Sequence, residues 1–498
     1  MKDMTYKNCI IGVVGAGAMG AGIAQVAVQN GIATIIYDAG DGAAVAAKAN
    51  IAQRLSRLVE KGKLAEVDRE AAEARLNVAC SIEELAPCSV VIEAIIENLD
   101  AKASVFGALE QIVAADTILA TNTSSLPIGA IAARLAHKSR VAGMHFFNPV
   151  PLMRLVEVIP GPDTTSAVTS QLVALAEKMG RTPVEVTDTP GFLVNFGGRA
   201  YPTEALAILQ EKVAQPAQVD AVMRDCFGFR MGPFELMDLT GIDVNYPVSE
   251  FVHHAMFADP RFRSTSRHKY MLDTGQLGRK TGRGFFSYGE EAQTQSPDAV
   301  SSADSSPAVF VPEGHIAARE LMRECGANVL DHDDGTAPIL VTLIGEDCSA
   351  FAARTGTDAK RLVALDPLGD TSARVTLMTP PGAILEVLNG CIARIAPKRA
   401  VTVIGDSPGF IGQRIMAMVC NLGCEMAQMG LASPEGIDVA MRLGLNYPKG
   451  PLEMTDGLKG EIVYEILSKM QFLTGDDRYR PSQWLRRRAQ LGLSASAV

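Results

Sequence analysis

The sequence predicts an α/β domain followed by an all-α domain, then a degenerate α/β segment and a second copy of the all-α domain. Three observations carry this reading. Short apolar runs alternate with helical stretches as far as about residue 187. From Pro190 to about Arg267 the chain reads mostly helical. The marker residues of that helical stretch then recur at a constant offset of 218. At 498 residues the chain is too long for one core, and a prior of ~150 residues per domain gives about three or four units. Hydrophobic residues at 47% and charged residues at 20% fit a soluble globular protein rather than a disordered one. A net charge of -10 argues against a nucleic-acid scaffold. The nine cysteines are scattered and odd in number; only Cys420 and Cys424 are close, and no C-x-x-C occurs. Reduced thiols in a cytoplasm are expected, with neither a disulfide framework nor a metal site.

The first element is the apolar run Cys9–Val14, the pattern of a strand buried on both faces. Gly15-Ala-Gly17-Ala18-Met19-Gly20 follows, then Ile23–Gln29 at helical spacing, a stop at Gly31, and a second strand, Ala33–Tyr37, ending at Asp38. This is a βαβ unit of Rossmann type. Gly15 permits the tight turn, Gly17 lets the backbone approach a pyrophosphate, and Gly20 allows close helix–strand packing. Asp38, 18 residues after Gly20, stands where an acid accepts the hydrogen bonds of an adenosine ribose. A carboxylate there repels a 2′-phosphate, so NAD is expected rather than NADP. From Asn8 to Tyr37 there is no charged residue, and Lys2 and Lys7 precede the run as in a signal peptide. Six glycines with Gln25, Gln29 and Asn30 break it too regularly for a membrane span, and no targeting or transmembrane segment is expected.

Further apolar runs at Val90–Ala94, Thr117–Ala120, Val141–Met144 and Leu155–Ile159 continue the doubly wound pattern. Asp188-Thr-Pro190-Gly-Phe192 recurs as Asp406-Ser-Pro408-Gly-Phe410. The same offset maps Asp220 onto Asp438, Gly232-Pro233 onto Gly450-Pro451, Glu235 onto Glu453 and Asp238 onto Asp456. The expected division is a nucleotide-binding domain over 1–187, a helical domain over 188–288 and a flexible linker over 289–307 rich in Glu, Gln, Ser and Asp. A degenerate α/β segment over 308–405 and the second helical copy over 406–498 complete it. Leu362-Val-Ala-Leu365-Asp-Pro367 stands roughly where Val141-Ala-Gly-Met-His145-Phe stands in the first half, without a histidine or a glycine-rich loop nearby, so the second half reads as structural.

His145 and Glu157 are each six residues from Pro151 in the run His145-Phe-Phe-Asn148-Pro-Val-Pro151. Folding the chain back around that segment makes them cross-strand neighbours. A carboxylate beside one imidazole nitrogen fixes the tautomer and leaves the other nitrogen to take a proton, as oxidation of an alcohol requires. A core histidine satisfied by backbone is the competing reading. Thr121-Asn-Thr-Ser124-Ser125-Leu126 follows an apolar run, at a strand's carboxyl end; its hydroxyls suit a substrate oxygen or a helix cap equally. Glu93 and Glu97 interrupt an apolar stretch, with Lys102 beyond, which surface pairing alone also explains. Lys48, Arg54, Arg57, Lys61 and Lys63 face only Glu60 as a local acid, which suits either a polyanionic ligand or a solvated helix face.

Together these stretches resemble the NAD-dependent 3-hydroxyacyl-CoA dehydrogenase family. The glycine loop, Glu93-Ala-Ile-Ile-Glu97-Asn-Leu, Thr121–Leu126, His145-Phe-Phe-Asn-Pro-Val-Pro, Glu157, Pro190-Gly-Phe-Leu-Val-Asn195, Gly232-Pro-Phe-Glu and Gly278-Arg-Lys280-Thr-Gly carry the resemblance over residues 8–288. The 406–490 copy is similar to a second C-terminal domain of the family, and the layout resembles the long bacterial form of phenylacetate and fatty-acid breakdown. The resemblance implies reversible oxidation of (3S)-3-hydroxyacyl-CoA to 3-oxoacyl-CoA, with His145 as base and Glu157 as its partner. It implies that Ser124 and Asn195 hold the substrate's 3-oxygen and thioester region. It also implies that Asp38, Glu97, Lys102, Ser124, Asn148 and Lys280 join Gly15, Gly17, Ala18, Met19 and Gly20 in holding NAD. The family's Arg and Pro-Tyr pair after Asn195 is replaced by Phe196-Gly-Gly-Arg199-Ala-Tyr201-Pro, which alters the helix start beside the acyl pocket. The expected setting is the cytoplasm, with an acyl-CoA as the small-molecule partner and no nucleic acid or membrane. The second helical copy is expected to stand in for a dimer partner within one chain, a homodimer remaining open. A dehydrogenase of a free 3-hydroxy acid and a non-catalytic NAD-binding protein are the rival readings.

Overall fold

Strand β1 (Ile10–Val14) is an Ile/Val run that lies at the centre of a sheet and is covered on both faces. The structure, a computed structural model, describes residues 9–289, 296–301 and 304–497. The chain packs as two units: one runs to Phe196 and adds Gly430–Leu445, and the other takes Gly197–Met429 and the chain from Asn446. In the first unit β1 is joined by β2 (Ala33–Tyr37), β3 (Leu76–Val78), β4 (Val90–Glu93), β5 (Ile118–Thr121), β6 (Val141–Phe146), β7 (Leu155–Pro160) and β8 (Thr182–Glu185). Their order is β3-β2-β1-β4-β5-β6-β7-β8, and every pairing is parallel except β6 with β7. The order reverses between β1 and β4, which opens a crevice at the strands' carboxyl ends where such folds place their ligands. Ile11, Val13, Ile92 and Ala120, all without exposed surface, anchor the sheet to helices such as Ala18–Gln29.

The second unit holds a six-stranded sheet of β9 (Ala308–Phe310), β10 (Asn328–Leu330), β11 (Ile339–Thr342), β12 (Leu362–Leu365), β13 (Arg374–Met378) and β14 (Ala400–Ile404). Its order is β10-β9-β11-β12-β13-β14, and only β12 and β13 run antiparallel. This is the first sheet from β4 onward. The offset of 218 carries β4 onto β9, β7 onto β13, β8 onto β14, and helix Ser166–Lys178 onto helix Leu385–Ile395. The duplication is thus longer than the helical repeat from which it was read. The middle strands drift: Ile118-Leu-Ala-Thr121 matches Ile339-Leu-Val-Thr342 at an offset of 221, so a comparison at fixed offset misses them. The first βαβ unit, with its glycine loop, has no counterpart, and β10 pairs with β9 where β1 would pair with β4.

Of the expected linker, residues 290–295 and 302–303 lie outside those described. Part of the rest is bound to the second sheet: the Ala299 N–H donates to the Val401 carbonyl at 2.7 Å, and Asp298 pairs with Arg374 at 2.8 Å. Its polar composition reflects a chain on a sheet's surface as much as a spacer.

Helix Ala200–Gln210 of the first helical copy packs on helix Ile411–Met429 of the second, around a buried charge network. Arg414 and Arg478 each reach one oxygen of the wholly buried Glu204, both at 2.8 Å. The two copies then exchange their next helices. Helix Pro216–Phe227 packs on β13 within the second unit, where the Asp370 N–H donates to the Cys226 carbonyl at 2.7 Å. Helix Pro434–Leu445, its counterpart at the offset of 218, packs on β7 and β8 within the first.

Where the first sheet carries chemistry-bearing side chains, the second carries a hydrogen-bonded plug. Gln413, at the position equivalent to Asn195, donates to the Leu343 carbonyl at 2.8 Å and to Asp366 Oδ1 at 2.9 Å, and accepts from the Gly345 N–H at 2.8 Å. Burial pushes the Asp366 carboxyl up to about 7, against the hydrogen bonds from Gln413 and the Leu368 N–H, and its Oδ2 has no partner. With the folded value above the unfolded one, folding takes up a proton, so stability is complete below about pH 4 and is lost as pH rises through about 7. Asp366→Asn removes that cost: in urea titrations its advantage over the parent should grow from pH 5 to pH 8, to on the order of 2–4 kcal/mol. An equal difference at both pH values would show that Asp366 ionises freely in the fold.

Candidate active site

The loop after β1 is shaped by contacts that only glycine allows. Gly15 has φ 105, and a Cβ there would lie 2.5 Å from the Ala94 carbonyl oxygen; one on Gly20 would lie 1.8 Å from the Gly15 carbonyl oxygen. Gly17 differs, because a Cβ on it would meet nothing within 4 Å. It is the N-cap of helix Ala18–Gln29, which no side chain caps, so the first helical N–H groups, including those of Ala18 and Met19, face open space. Asp38, at the end of β2, accepts the Ala16 N–H at 2.6 Å and the Gly40 N–H at 2.8 Å, which ties the acid to the loop. Open N–H groups at a helix start, with an acid at the neighbouring strand's end, fit a dinucleotide.

Across the crevice, Glu93 ends β4 with no exposed surface. It accepts from Lys102 Nζ, the Ile95 N–H and Thr121 Oγ1, each at 2.7 Å. Lys102 is 1% exposed and reaches Glu97 at 3.3 Å as well, so its pairing is a buried one rather than a surface one. Glu97 Oε1 gathers the Thr123 hydroxyl and the Ser124 and Ser125 N–H and hydroxyl groups within 3.1 Å. Burial pushes the Glu97 carboxyl up, but Thr123, the Lys102 charge and the Ser124 N–H outweigh it and hold the group below its usual range. Glu93 was visible in the sequence as an acid in an apolar stretch. Its work as the post that holds Lys102 and Thr121 was not, since those partners come from two other elements.

His145 on β6 stands opposite Glu157 on β7 in the antiparallel register, and His145 Nδ1 lies 2.7 Å from Glu157 Oε2. Glu157 is fully buried, and its Oε1 accepts the Leu193 N–H at 3.1 Å and the Val194 N–H at 2.9 Å. Those two donors follow a backbone held at φ 77 in Gly191 and φ 47 in Phe192, the second an unusual conformation for an aromatic residue. The rings of Phe147 and Phe192 stand 4.4 and 5.9 Å from the imidazole. Asn195 Nδ2 donates to the Ser124 carbonyl at 3.4 Å, which joins the turn after Glu157's donors to the β5 loop. Asn122, which the sequence shows only as part of the run Thr121–Leu126, accepts the Phe146 N–H at 2.8 Å and holds β6 beside that loop.

The remaining expected residues are less tightly gathered. Asn148 is exposed in the β6–β7 loop. Lys280 belongs to the second unit, where it pairs with Asp243 at 2.5 Å. Lys48, one of the five basic residues, donates to the Leu76 carbonyl at 2.6 Å. At Phe196-Gly-Gly-Arg199 the helical turn Val194–Gly197 ends, and helix Ala200–Gln210 begins afresh beyond the second glycine. Among the described residues no group of three His, Cys, Asp or Glu is placed to hold a metal ion, and no helix is long and apolar enough to cross a membrane.

Comparison with known proteins gives the family. The family model for the 3-hydroxyacyl-CoA dehydrogenase NAD binding domain matches residues 10–189, and that for the C-terminal domain matches 191–288 and again 409–496. A 3-hydroxyadipyl-CoA dehydrogenase of Escherichia coli K12 is 36% identical over 97% of both chains. A probable 3-hydroxybutyryl-CoA dehydrogenase of Bacillus subtilis is 42% identical over 56% of this chain and 97% of its own. The crystal structure of a 3-hydroxybutyryl-CoA dehydrogenase from Escherichia coli K12 superposes with a TM-score of 0.87 at 36% identity, covering 97% of this chain and 98% of that one.

The glycine loop supplies a paired test. Gly17→Ala places a methyl in open space, so the variant should keep the parent's circular dichroism spectrum while NADH binding, followed by fluorescence titration, weakens about tenfold or more, or about 1.4 kcal/mol. Gly20→Ala drives a methyl into the Gly15 carbonyl and should lower both NADH affinity and the thermal midpoint. Unaltered NADH binding by Gly17→Ala would mean that the nucleotide does not approach that carbon.

Proposed function

Since the chain belongs to the 3-hydroxyacyl-CoA dehydrogenase family and is an NAD-dependent oxidoreductase of that class, we propose that His145 is its general base and Glu157 the residue that orients it. One observation carries the reading: Glu157 spends one oxygen on two backbone N–H groups and the other on His145 Nδ1. A carboxylate held in that way fixes the ring and its tautomer, and it stabilises the imidazolium formed when Nε2 takes the proton of the substrate's 3-hydroxyl. Bound NAD supplies the acceptor for the hydride that leaves the same carbon. Ser124 and Asn195 hold the substrate's oxygens, and the hydroxyl of Ser124 turns to the substrate from Glu97, 3.1 Å away. The glycine loop with Ala18 and Met19 receives the pyrophosphate and Asp38 the ribose. Glu97 and Lys102 act on the cofactor as a pair fixed by Glu93, and Asn148 and Lys280 are assigned to the same cofactor by family resemblance.

The substrate is a (3S)-3-hydroxyacyl-CoA, and the basic segment around Lys48–Lys63 falls where the family places a helical pair beside the coenzyme A, although Lys48 itself donates to the Leu76 carbonyl. One relative that matches over 97% of both chains is named for 3-hydroxyadipyl-CoA, a dicarboxylic acyl group, and the crystal structure that matches over a similar span is named for 3-hydroxybutyryl-CoA. A short acyl chain, ending in a carboxylate or a methyl group, is therefore the substrate to test, in the cytoplasmic breakdown of phenylacetate or fatty acids. The linear division into 1–187, 188–288, 289–307, 308–405 and 406–498 belongs to this reading. So does an intramolecular pseudo-dimer, supported by helices Pro216–Phe227 and Pro434–Leu445, each of which packs on a sheet of the opposite repeat. A chain ended near residue 288 loses helix Pro434–Leu445 and should self-associate or aggregate in sedimentation runs; a well-behaved monomer would remove the pseudo-dimer.

NADH oxidation should proceed with acetoacetyl-CoA and 3-oxoadipyl-CoA and fail with free acetoacetate. Turnover of the free acid alone would make this a dehydrogenase of free 3-hydroxy acids, and binding of NADH with no turnover would make it a non-catalytic member of the fold. His145→Ala should lose roughly 10²–10⁴-fold in kcat while still binding NADH; activity within tenfold of the parent would take His145 out of the mechanism.

A further inference from the structure

Glu157 acts only as well as it is held, and part of what holds it comes from the other end of the chain. We propose that Gly444, on helix Pro434–Leu445 of the second repeat, is a positioning residue that sets the N–H donors of Glu157; this rests on the reading of His145 and Glu157 as base and partner. The helix is moored along β8, where the Thr187 N–H donates to the Leu431 carbonyl at 2.8 Å and the Thr187 hydroxyl to the Gly430 carbonyl at 2.9 Å. At its far end a Cβ on Gly444 would lie 2.9 and 3.2 Å from the two γ-carbons of Val194 and 3.1 Å from Leu155 Cδ2. Val194 gives its N–H to Glu157, and Leu155 precedes Glu157 by two positions on β7, hence on the same face. The helix therefore presses on both sides of the buried acid as closely as a glycine allows.

The second repeat provides an internal control. At the offset of 218, Gly444 corresponds to Cys226, Val194 to Gly412 and Glu157 to Val375. Helix Pro216–Phe227 packs on β13 as its counterpart packs on β7, but with a cysteine whose Sγ lies 3.6 Å from the Arg374 carbonyl. Where there is no acid to position, neither the glycine nor its valine contact is present. Gly409 keeps a left-handed φ of 79, matching Gly191, whereas a left-handed Phe192 has no equivalent at Phe410. Close packing of the helix occurs in both repeats, with a Cβ on Gly412 lying 2.0 Å from Phe227 Cε2; the left-handed turn at Phe192 and a glycine on the helix itself occur only beside the acid.

The test uses the full chain. Alanine forms helix better than glycine, so a purely helical role for this position predicts a rate at or above the parent's. We expect Gly444→Ala to lower kcat about tenfold, the scale of a sub-ångström misplacement, with NADH stoichiometry and the KM for NADH within about twofold of the parent. Adding Val194→Ala should restore most of the rate by removing the atoms that the new methyl meets. In a Glu157→Gln background Gly444→Ala should have almost no further effect, since the two changes act through one contact. Gly436→Ala, on the same helix but against Val184 and Ser433, should leave kcat unchanged. A parent-like kcat in Gly444→Ala, or the same loss in both backgrounds, would overturn the proposal while leaving the His145–Glu157 reading intact. A parent-like kcat in Glu157→Gln itself would overturn that reading and this proposal with it.

Discussion

A buried carboxyl group with no exposed surface needs protein groups in place of the water it has lost, and Glu157 meets that demand with three of them. Each requirement recruits a different element. Register between β6 and β7 brings the imidazole to one oxygen. The other oxygen needs two N–H donors, and these come only if the chain after Pro190 turns left-handed twice, at Gly191 and at Phe192. An aromatic residue at φ 47 costs conformational energy, and such strain persists where the surroundings over-determine it. Phe192 is fully packed, with its ring beside His145.

The duplicated half shows what the same frame becomes when the demand is lifted. With valine at 375 there is no acid on β13 to satisfy, and the strand is simply apolar at that point. The space is closed from the helix side by Gln413, one methylene longer than Asn195, which spends its amide on the Leu343, Gly345 and Asp366 groups around it. A side chain whose polar atoms are all committed within the fold has none left for a ligand. The loss of the first βαβ unit agrees with this: the second sheet still reverses its order between β9 and β11, but no glycine-rich loop follows β9 there.

The parts legible in the sequence were those whose signal is local or symmetric. The glycine loop and Asp38 lie within one βαβ unit, so spacing sufficed. His145 and Glu157 could be paired because both are six residues from Pro151, a distance that an antiparallel return converts into contact. The repeat was readable wherever the offset of 218 holds, and it disappeared at Ile339–Thr342, where three extra residues shift the frame. Glu93 as the anchor of Lys102, Asn122 as the clamp on β6, and Gly444 against Val194 were not legible. Each is a contact between elements whose meeting depends on the whole topology, and none leaves a periodic trace. The linker was read from composition, which distinguishes polar from apolar chain but not a free segment from one lying along β14.

Tethering explains why a helix of the second repeat can be relied on to press against the first sheet. A partner in trans must be recruited at the cost of translational freedom, whereas a segment of the same chain acts at an effective concentration on the order of millimolar or more whatever the protein's abundance. Close packing of the Gly444 kind, which gains little area and only resists displacement, gives weak association between separate molecules and a firm stop within one. A duplicated half that keeps its helices and discards its chemistry is what such a role selects. The helices must hold their places against β7 and β8, while the strands that once framed a second site need only remain a folded sheet.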